Sequence, residues 1–222
     1  MNVQIALRNG RRSGSTPLEW ALEKAGHELH RPERGWKHGL VAASDWPTIV
    51  LSKHPLAWMR SRVRWALPTP RFRWYNPCIQ KVFEWGKKVV CSRWEPGQRL
   101  VYSPLLDSWF RGYAYWFSEL DNYLHVRHID LLKYPEKETE RIANFLDIDC
   151  FSMPDEKINP NGGRGCKGSV GSFDKEFYIE RRWLDWYTDE ELDFVYDYIY
   201  RESENRLMPE LLNGMGYHVD VD

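Results

Sequence analysis

The sequence predicts an α/β three-layer sandwich built around a mainly parallel central sheet. Short apolar runs at residues 3–7, 48–51 and 123–127 have the length of buried strands. Amphipathic stretches of helical period lie between them. Capping and turn residues fall at the junctions. Strands that alternate with helices form parallel sheets covered on both faces, and such sheets take ligands at the carboxyl ends of their strands.

The elements follow in order. Val3–Leu7 reads as a buried strand, and Arg8 to Ser15 as a polar loop carrying Gly10 and Gly14. Thr16, Pro17 and Glu19 together signal a helix start: a capping hydroxyl, a proline at the first helical position, and a carboxylate closing a capping box. Leu18, Ala21, Leu22 and Ala25 share a face, and Gly26 ends the helix. Thr48–Leu51 is a strand, followed from Pro55 by a helix with Leu56, Met59 and Val63 on one side. A long helix centred on Leu105, Trp109, Tyr113, Trp116 and Leu120 leads to a strand at Tyr123–Arg127. Lys137–Leu146 reads as a helix burying Ile142, Phe145 and Leu146. Asn159–Gly171 is a glycine-rich loop. Thr188 and Glu191 form a second capping box, opening an acidic helix at about 188–204 with Leu192, Val195, Tyr196 and Ile199 inward.

The chain has 222 residues, enough for one domain with a full core, and residues 1–222 are expected to form a single domain. Lys+Arg 31 against Asp+Glu 32 excludes a globally basic nucleic-acid coat, and nucleic acid is not an expected partner. The near-neutral sum hides a strong asymmetry. Arg60 to Arg99 holds ten Lys/Arg against Glu84 and Glu95, interleaved with aromatics including Trp74, Trp85 and Trp94, whereas Trp183 to Asp222 holds eleven acids against two bases. The basic stretch, about 60–100, reads as an insertion on the acceptor side of a site. No apolar run approaches the roughly 18 residues of a membrane span. Cys78, Cys91, Cys150 and Cys166 form no CxxC pair, so reduced thiols and a cytoplasmic location are expected. No His/Cys/Asp/Glu group has metal-ligand spacing, and no metal is expected. The 12 Trp and 12 Tyr are a surplus, suited to a core or to a platform for flat or sugar-like ligands.

Three segments carry anion chemistry. In Gly10-Arg11-Arg12-Ser13-Gly14-Ser15-Thr16, a loop runs from a strand into a helix N-terminus, where backbone N–H groups and the helix dipole favour an anion. Arg12 adds a charge-assisted donor, and Ser15 and Thr16 add hydroxyls. No lysine precedes Ser15, so this is not the GxxxxGK[ST] nucleotide loop. Lys53 leaves the end of a buried strand, and Ser61 lies two turns into the next helix, within reach of the same anion. Lys167-Gly168-Ser169-Val170-Gly171 again sets a thin backbone beside a cation, with Arg164 near it.

In this order, these segments resemble those of the sulfotransferases that use 3′-phosphoadenylyl sulfate. Arg12–Thr16 is similar to the family's 5′-phosphosulfate loop, and Lys53 to Ser61 has the spacing of its 3′-phosphate element. Arg127-His128-Ile129-Asp130-Leu131-Leu132, with Ile142–Leu146, resembles the family's Arg-Tyr-Glu-Asp-Leu segment and its helix. Lys167–Gly171 with Phe173 and Lys175 resembles the late Arg-Lys-Gly-x-x-Gly-Asp-Trp-Lys segment. Lys53 stands for the usual Arg, His128 for Tyr and Ile129 for Glu. Cys166 stands where an Arg commonly touches the 3′-phosphate, and Arg164 is the candidate substitute.

The resemblance implies a P-loop-NTPase-like sulfotransferase fold. It implies 3′-phosphoadenylyl sulfate as donor, adenosine 3′,5′-bisphosphate as product, and a small molecule or carbohydrate as acceptor, with no metal. Donor binding then falls to Arg11, Arg12, Ser13, Gly14, Ser15, Thr16, Lys53, Ser61, His128, Arg164, Lys167 and Gly168. The resemblance places a Lys/His element ahead of the 3′-phosphate strand, and Trp36-Lys37-His38-Gly39 is the candidate there. His38 would take the acceptor's proton, while Lys37 and Arg12 would stabilise charge on the group in flight and its leaving oxygen. Two other readings fit parts of the sequence: a P-loop kinase of a small molecule, and a non-catalytic nucleotide- or polyanion-binding module on the same fold.

Overall fold

The structure, a computed structural model, describes residues 3–9, 14–30, 46–66, 102–154, 175–202 and 207–217. Its centre is a four-stranded sheet of β1 (Gln4–Asn9), β2 (Glu28–Leu29), β3 (Thr48–Ser52) and β4 (Tyr123–Arg127) in the order β2-β1-β3-β4. Every pairing is parallel: Gln4 faces Glu28, Asn9 faces Leu51, and Ser52 faces Arg127. The carboxyl ends of β1, β3 and β4 therefore meet at one edge.

Helices cover both faces, giving the expected three layers. Side chains alternate across a strand, so Ile5, Leu7, Ile49, Leu51 and Val126 look to one side. There they pack with α1 (Thr16–Lys24), α4 (His128–Lys133) and α5 (Pro135–Leu146) through Leu18, Leu22, Leu131, Ile142 and Leu146. Val50 looks to the other side, into a core with α2 (Pro55–Ala66), α3 (Tyr102–Glu119), α7 (Asp189–Asp197) and α8 (Leu207–Gly214). That second core holds Trp58, Trp109, Tyr113, Trp116, Trp183, Tyr187 and Tyr217, all buried. Much of the aromatic surplus is thus core, where each ring buries a large area at small entropic cost.

Several elements differ from the sequence expectation. β1 runs on through Arg8 and Asn9, both about 1% exposed, although their polarity reads as loop. The expected capping box at Thr16 is absent. The N-cap is Ser15, already in helical conformation (φ −72, ψ −20), which turns its hydroxyl away from the next amides. That hydroxyl instead donates to Glu19 Oε1 at 2.5 Å. Ala25 is the exposed C-cap rather than a core residue, and Gly26 follows at φ +87. β2, α4, α6 (Lys175–Ile179), a 3₁₀ turn at Leu184–Trp186, and α8 are too short or too irregular to leave a period in the sequence. The capping box at Thr188 forms as expected, with the Thr188 N–H donating to Glu191 Oε2 at 2.7 Å. The acidic helix ends earlier, at Asp197, and continues as a π-helical turn, Tyr198–Glu202. Most of the basic 60–100 stretch and the Asn159–Gly171 loop lie outside the described residues. Among the described residues, no helix is long and apolar enough to cross a membrane.

Candidate functional site

The strand order reverses between β1 and β3. From β1 the chain passes to β2 on one side, then returns to β3 on the other. The helices that follow them, α1 and α2, cover opposite faces. Such a reversal opens a crevice at the carboxyl ends of the two strands. Gly14–Thr16, Lys53 and His128 all emerge at this edge.

Gly14 leads into α1 with φ +82, a backbone conformation that side chains disfavour. Space forbids a side chain too, because a Cβ there would lie 2.5 Å from His128 Nε2. The loop backbone and the imidazole are therefore in direct contact. His128 opens α4, is buried, and meets the Tyr178 ring edge-on, with centroids 5.2 Å apart. Burial pushes its pKa well below the ordinary histidine value, and the charge of Lys53 pushes it the same way. His128 is thus a neutral wall behind the glycine loop.

Lys53 follows β3 and is 4% exposed, not a solvated surface lysine. Its Nζ donates to Ser61 Oγ at 2.8 Å and lies 4.1 Å from the centroid of the Tyr178 ring. Ser61 in turn donates to the Ala57 carbonyl at 2.9 Å, one helical turn back. A cation beside a hydroxyl and an aromatic face, at the mouth of a sheet, is equipped to hold a phosphate oxygen. The spacing of Lys53 and Ser61 brings them together as expected.

Three contributors escape sequence reasoning. Tyr178 lies just past the Lys167–Lys175 segment, where only an aromatic following a cation hints at it. Arg8 is a guanidinium buried near the end of β1, its pKa lowered by desolvation. The third is a hydrogen-bond network behind Lys53. Ser52 Oγ lies 2.7 Å from both His125 Nε2 and Tyr217 Oη. Arg127 grips Asp130 through two nitrogens and donates to the Gly216 carbonyl. The Asp130 hydrogen bond holds the Arg127 pKa above its ordinary value. His54 stands between the rings of Trp183 and Tyr217, at centroid distances of 4.7 and 5.4 Å.

This network should make the fold acid-sensitive. Burial, then Arg141 and Arg127, push the His125 pKa down to about 4 from 6.5. Between those values the unfolded chain binds a proton that the folded chain does not, so stability rises with pH there. Acidification should remove on the order of 1–3 kcal/mol across that window, with His128 pulling in the same direction. Urea unfolding at a series of pH values checks this. His125→Gln should flatten the profile, and a wild-type profile already flat from neutrality to about pH 4 contradicts the account.

Outside the crevice, an open groove of about 280 Å³ is lined by Arg60, Phe177, Arg182, Asp185 and Trp186. The Arg60 guanidinium lies 4.3 Å from the centroid of the Phe177 ring. Arg60 and Phe177 are the chain neighbours of Ser61 and Tyr178.

The structure thus brings Gly14, Ser15, Thr16, Lys53, Ser61 and His128 to one edge. Arg11, Arg12, Ser13, Lys37, His38, Arg164, Lys167 and Gly168 lie outside the described residues. No protein-family model matches the chain, and no curated protein matches it.

Proposed function

We propose that this chain is a sulfotransferase with a P-loop-NTPase-like fold. It transfers the sulfuryl group of 3′-phosphoadenylyl sulfate to a hydroxyl or amine of a small-molecule or carbohydrate acceptor. One observation carries the reading: a buried Lys53 bonded to a half-buried Ser61, and a glycine-led helix N-terminus, meet at the reversal point of a parallel sheet. A donor with phosphates at both its 3′ and 5′ positions needs two separate anion sites, and these two elements fit it. Ser13 to Thr16 with Arg12 would hold the 5′-phosphosulfate, and Lys53 and Ser61 the 3′-phosphate. Arg11, Arg164, Lys167 and Gly168 would complete the anion contacts, with His128 and Tyr178 as walls.

In the transfer, the acceptor oxygen or nitrogen forms a bond to sulfur as the bond from sulfur to the bridging phosphate oxygen breaks. His38 takes the acceptor's proton. Lys37 and Arg12 stabilise the negative charge that builds on the bridging oxygen, which leaves on adenosine 3′,5′-bisphosphate. The group in flight carries less charge than a phosphoryl group, so positioning and cationic side chains suffice for the step.

Thermal unfolding tests the reading against its rivals. Adenosine 3′,5′-bisphosphate at about a hundredfold over its Kd should add about 2.7 kcal/mol, raising Tm by roughly 5–10 °C. Stabilisation by ATP with Mg²⁺ alone would point to a kinase. Stabilisation by neither nucleotide would leave a binding module of another kind.

A further inference from the structure

Four aromatic side chains hold the turn that carries Lys53. Tyr113 Oη donates to the Leu51 carbonyl at 2.9 Å, and Trp109 Nε1 to the Lys53 carbonyl at 3.1 Å. Tyr187 Oη donates to the Leu56 carbonyl at 2.7 Å, and Tyr217 Oη bonds the Ser52 hydroxyl at 2.7 Å. The strand end and the first turn of α2 are therefore fixed from outside the sheet at Leu51, Ser52, Lys53 and Leu56. These anchors come from α3, from the segment before α7, and from the last described residue of the chain. Tyr217 is itself held by Arg127, which donates to the adjoining Gly216 carbonyl and is fixed by Asp130.

Lys53 would otherwise be poorly placed for selective recognition. A lysine is a flexible stem ending in a point charge, without the planar fork that pre-organises an arginine. Ser61 and Tyr178 locate its Nζ, and the aromatic collar locates its backbone. We infer that Tyr217 and Trp109 are positioning residues for Lys53, so that the C-terminal segment sets how well the site distinguishes a 3′-phosphorylated nucleotide from its unphosphorylated counterpart. They touch no ligand and act through the Ser52 hydroxyl and the Lys53 carbonyl. This rests on the donor-site reading proposed above.

The test is the ratio of affinities for adenosine 3′,5′-bisphosphate and AMP, measured by titration calorimetry on the full chain. Tyr217→Phe keeps the ring and removes one buried hydroxyl. It should lower the ratio about three- to tenfold through weaker binding of the bisphosphate, with AMP as the internal reference. Trp109→Phe removes the donor to the Lys53 carbonyl from another element and should lower the ratio likewise, so either variant decides the matter if the other fails to fold. In a Lys53→Ala background, neither change should lower the ratio further, because the residue they act through is gone. A merely structural role would instead weaken both nucleotides together and leave the ratio unchanged. An unchanged ratio in both variants, or an equal fall in the Lys53→Ala background, overturns the inference while leaving the donor site intact. A wild-type chain with no preference for the bisphosphate removes the donor-site reading itself, and this inference with it.

Discussion

His38→Ala should slow sulfuryl transfer about 10²–10⁴-fold while leaving the affinity for adenosine 3′,5′-bisphosphate nearly unchanged. The motive is chemical and topological. An acceptor hydroxyl must lose its proton as it attacks sulfur, and a neutral imidazole with a pKa near the ordinary value of about 6.5 accepts it near neutral pH. β2 runs parallel to β1, so the chain leaves Leu29 heading toward the edge of the glycine loop and Lys53, from a register opposite Ile5 and four residues short of the end of β1. The chain reaches Lys37 and His38 fewer than ten residues later, before it returns to the start of β3. The described histidines around Lys53 are poorer bases. His128 is walled in by Gly14 and Tyr178, His125 is engaged with Ser52, and His54 is packed between Trp183 and Tyr217. Single-turnover kinetics with donor and acceptor in place separate the chemical step from binding. A wild-type single-turnover rate in His38→Ala moves the base to another residue.

Lys53→Ala should have the second largest effect, on recognition rather than on chemistry. A charge-assisted hydrogen bond to phosphate contributes about 1.5–3 kcal/mol, so affinity for adenosine 3′,5′-bisphosphate should fall about ten- to a hundredfold, with AMP binding little altered. Ser61→Ala should act in the same direction and less strongly. It removes a neutral hydroxyl, but also the partner that locates Nζ 2.8 Å away. Lys53→Arg restores the charge with a different geometry and should recover only part of the loss. If Lys53→Ala keeps the wild-type ratio of the two affinities, Lys53 does not read the 3′-phosphate.

The central layers of this fold were legible because their signals are local and periodic. Ile49, Val50 and Leu51 form an apolar run too short for a helix, and Leu105, Trp109, Tyr113 and Trp116 repeat at helical spacing. The pairing of Lys53 with Ser61 was legible for the same reason: a strand end and a position two turns into the next helix have a fixed relation. What was not legible depends on contacts distant in sequence. Arg8 and Asn9 continue β1 because their neighbours on β3, Val50 and Leu51, extend the ladder there, which overrides their polarity. His128 is a cradle wall because Gly14, more than a hundred residues earlier, leaves it room. Tyr217 joins the site through Ser52, a separation of 165 residues that no motif records. The capping box at Thr188 formed and that at Thr16 did not, although both have the same spacing. Thr188 is extended as a cap must be, whereas Ser15 before Thr16 is already helical.

The most direct test of the account is calorimetric titration of the wild-type chain with adenosine 3′,5′-bisphosphate, AMP and ATP with Mg²⁺. The two proposed anion sites, one at the α1 N-terminus and one at Lys53 and Ser61, predict saturable one-to-one binding of the bisphosphate without metal. They also predict a Kd at least about tenfold below that for AMP. Equal affinity for the bisphosphate and AMP, or binding of ATP–Mg²⁺ alone, would contradict it.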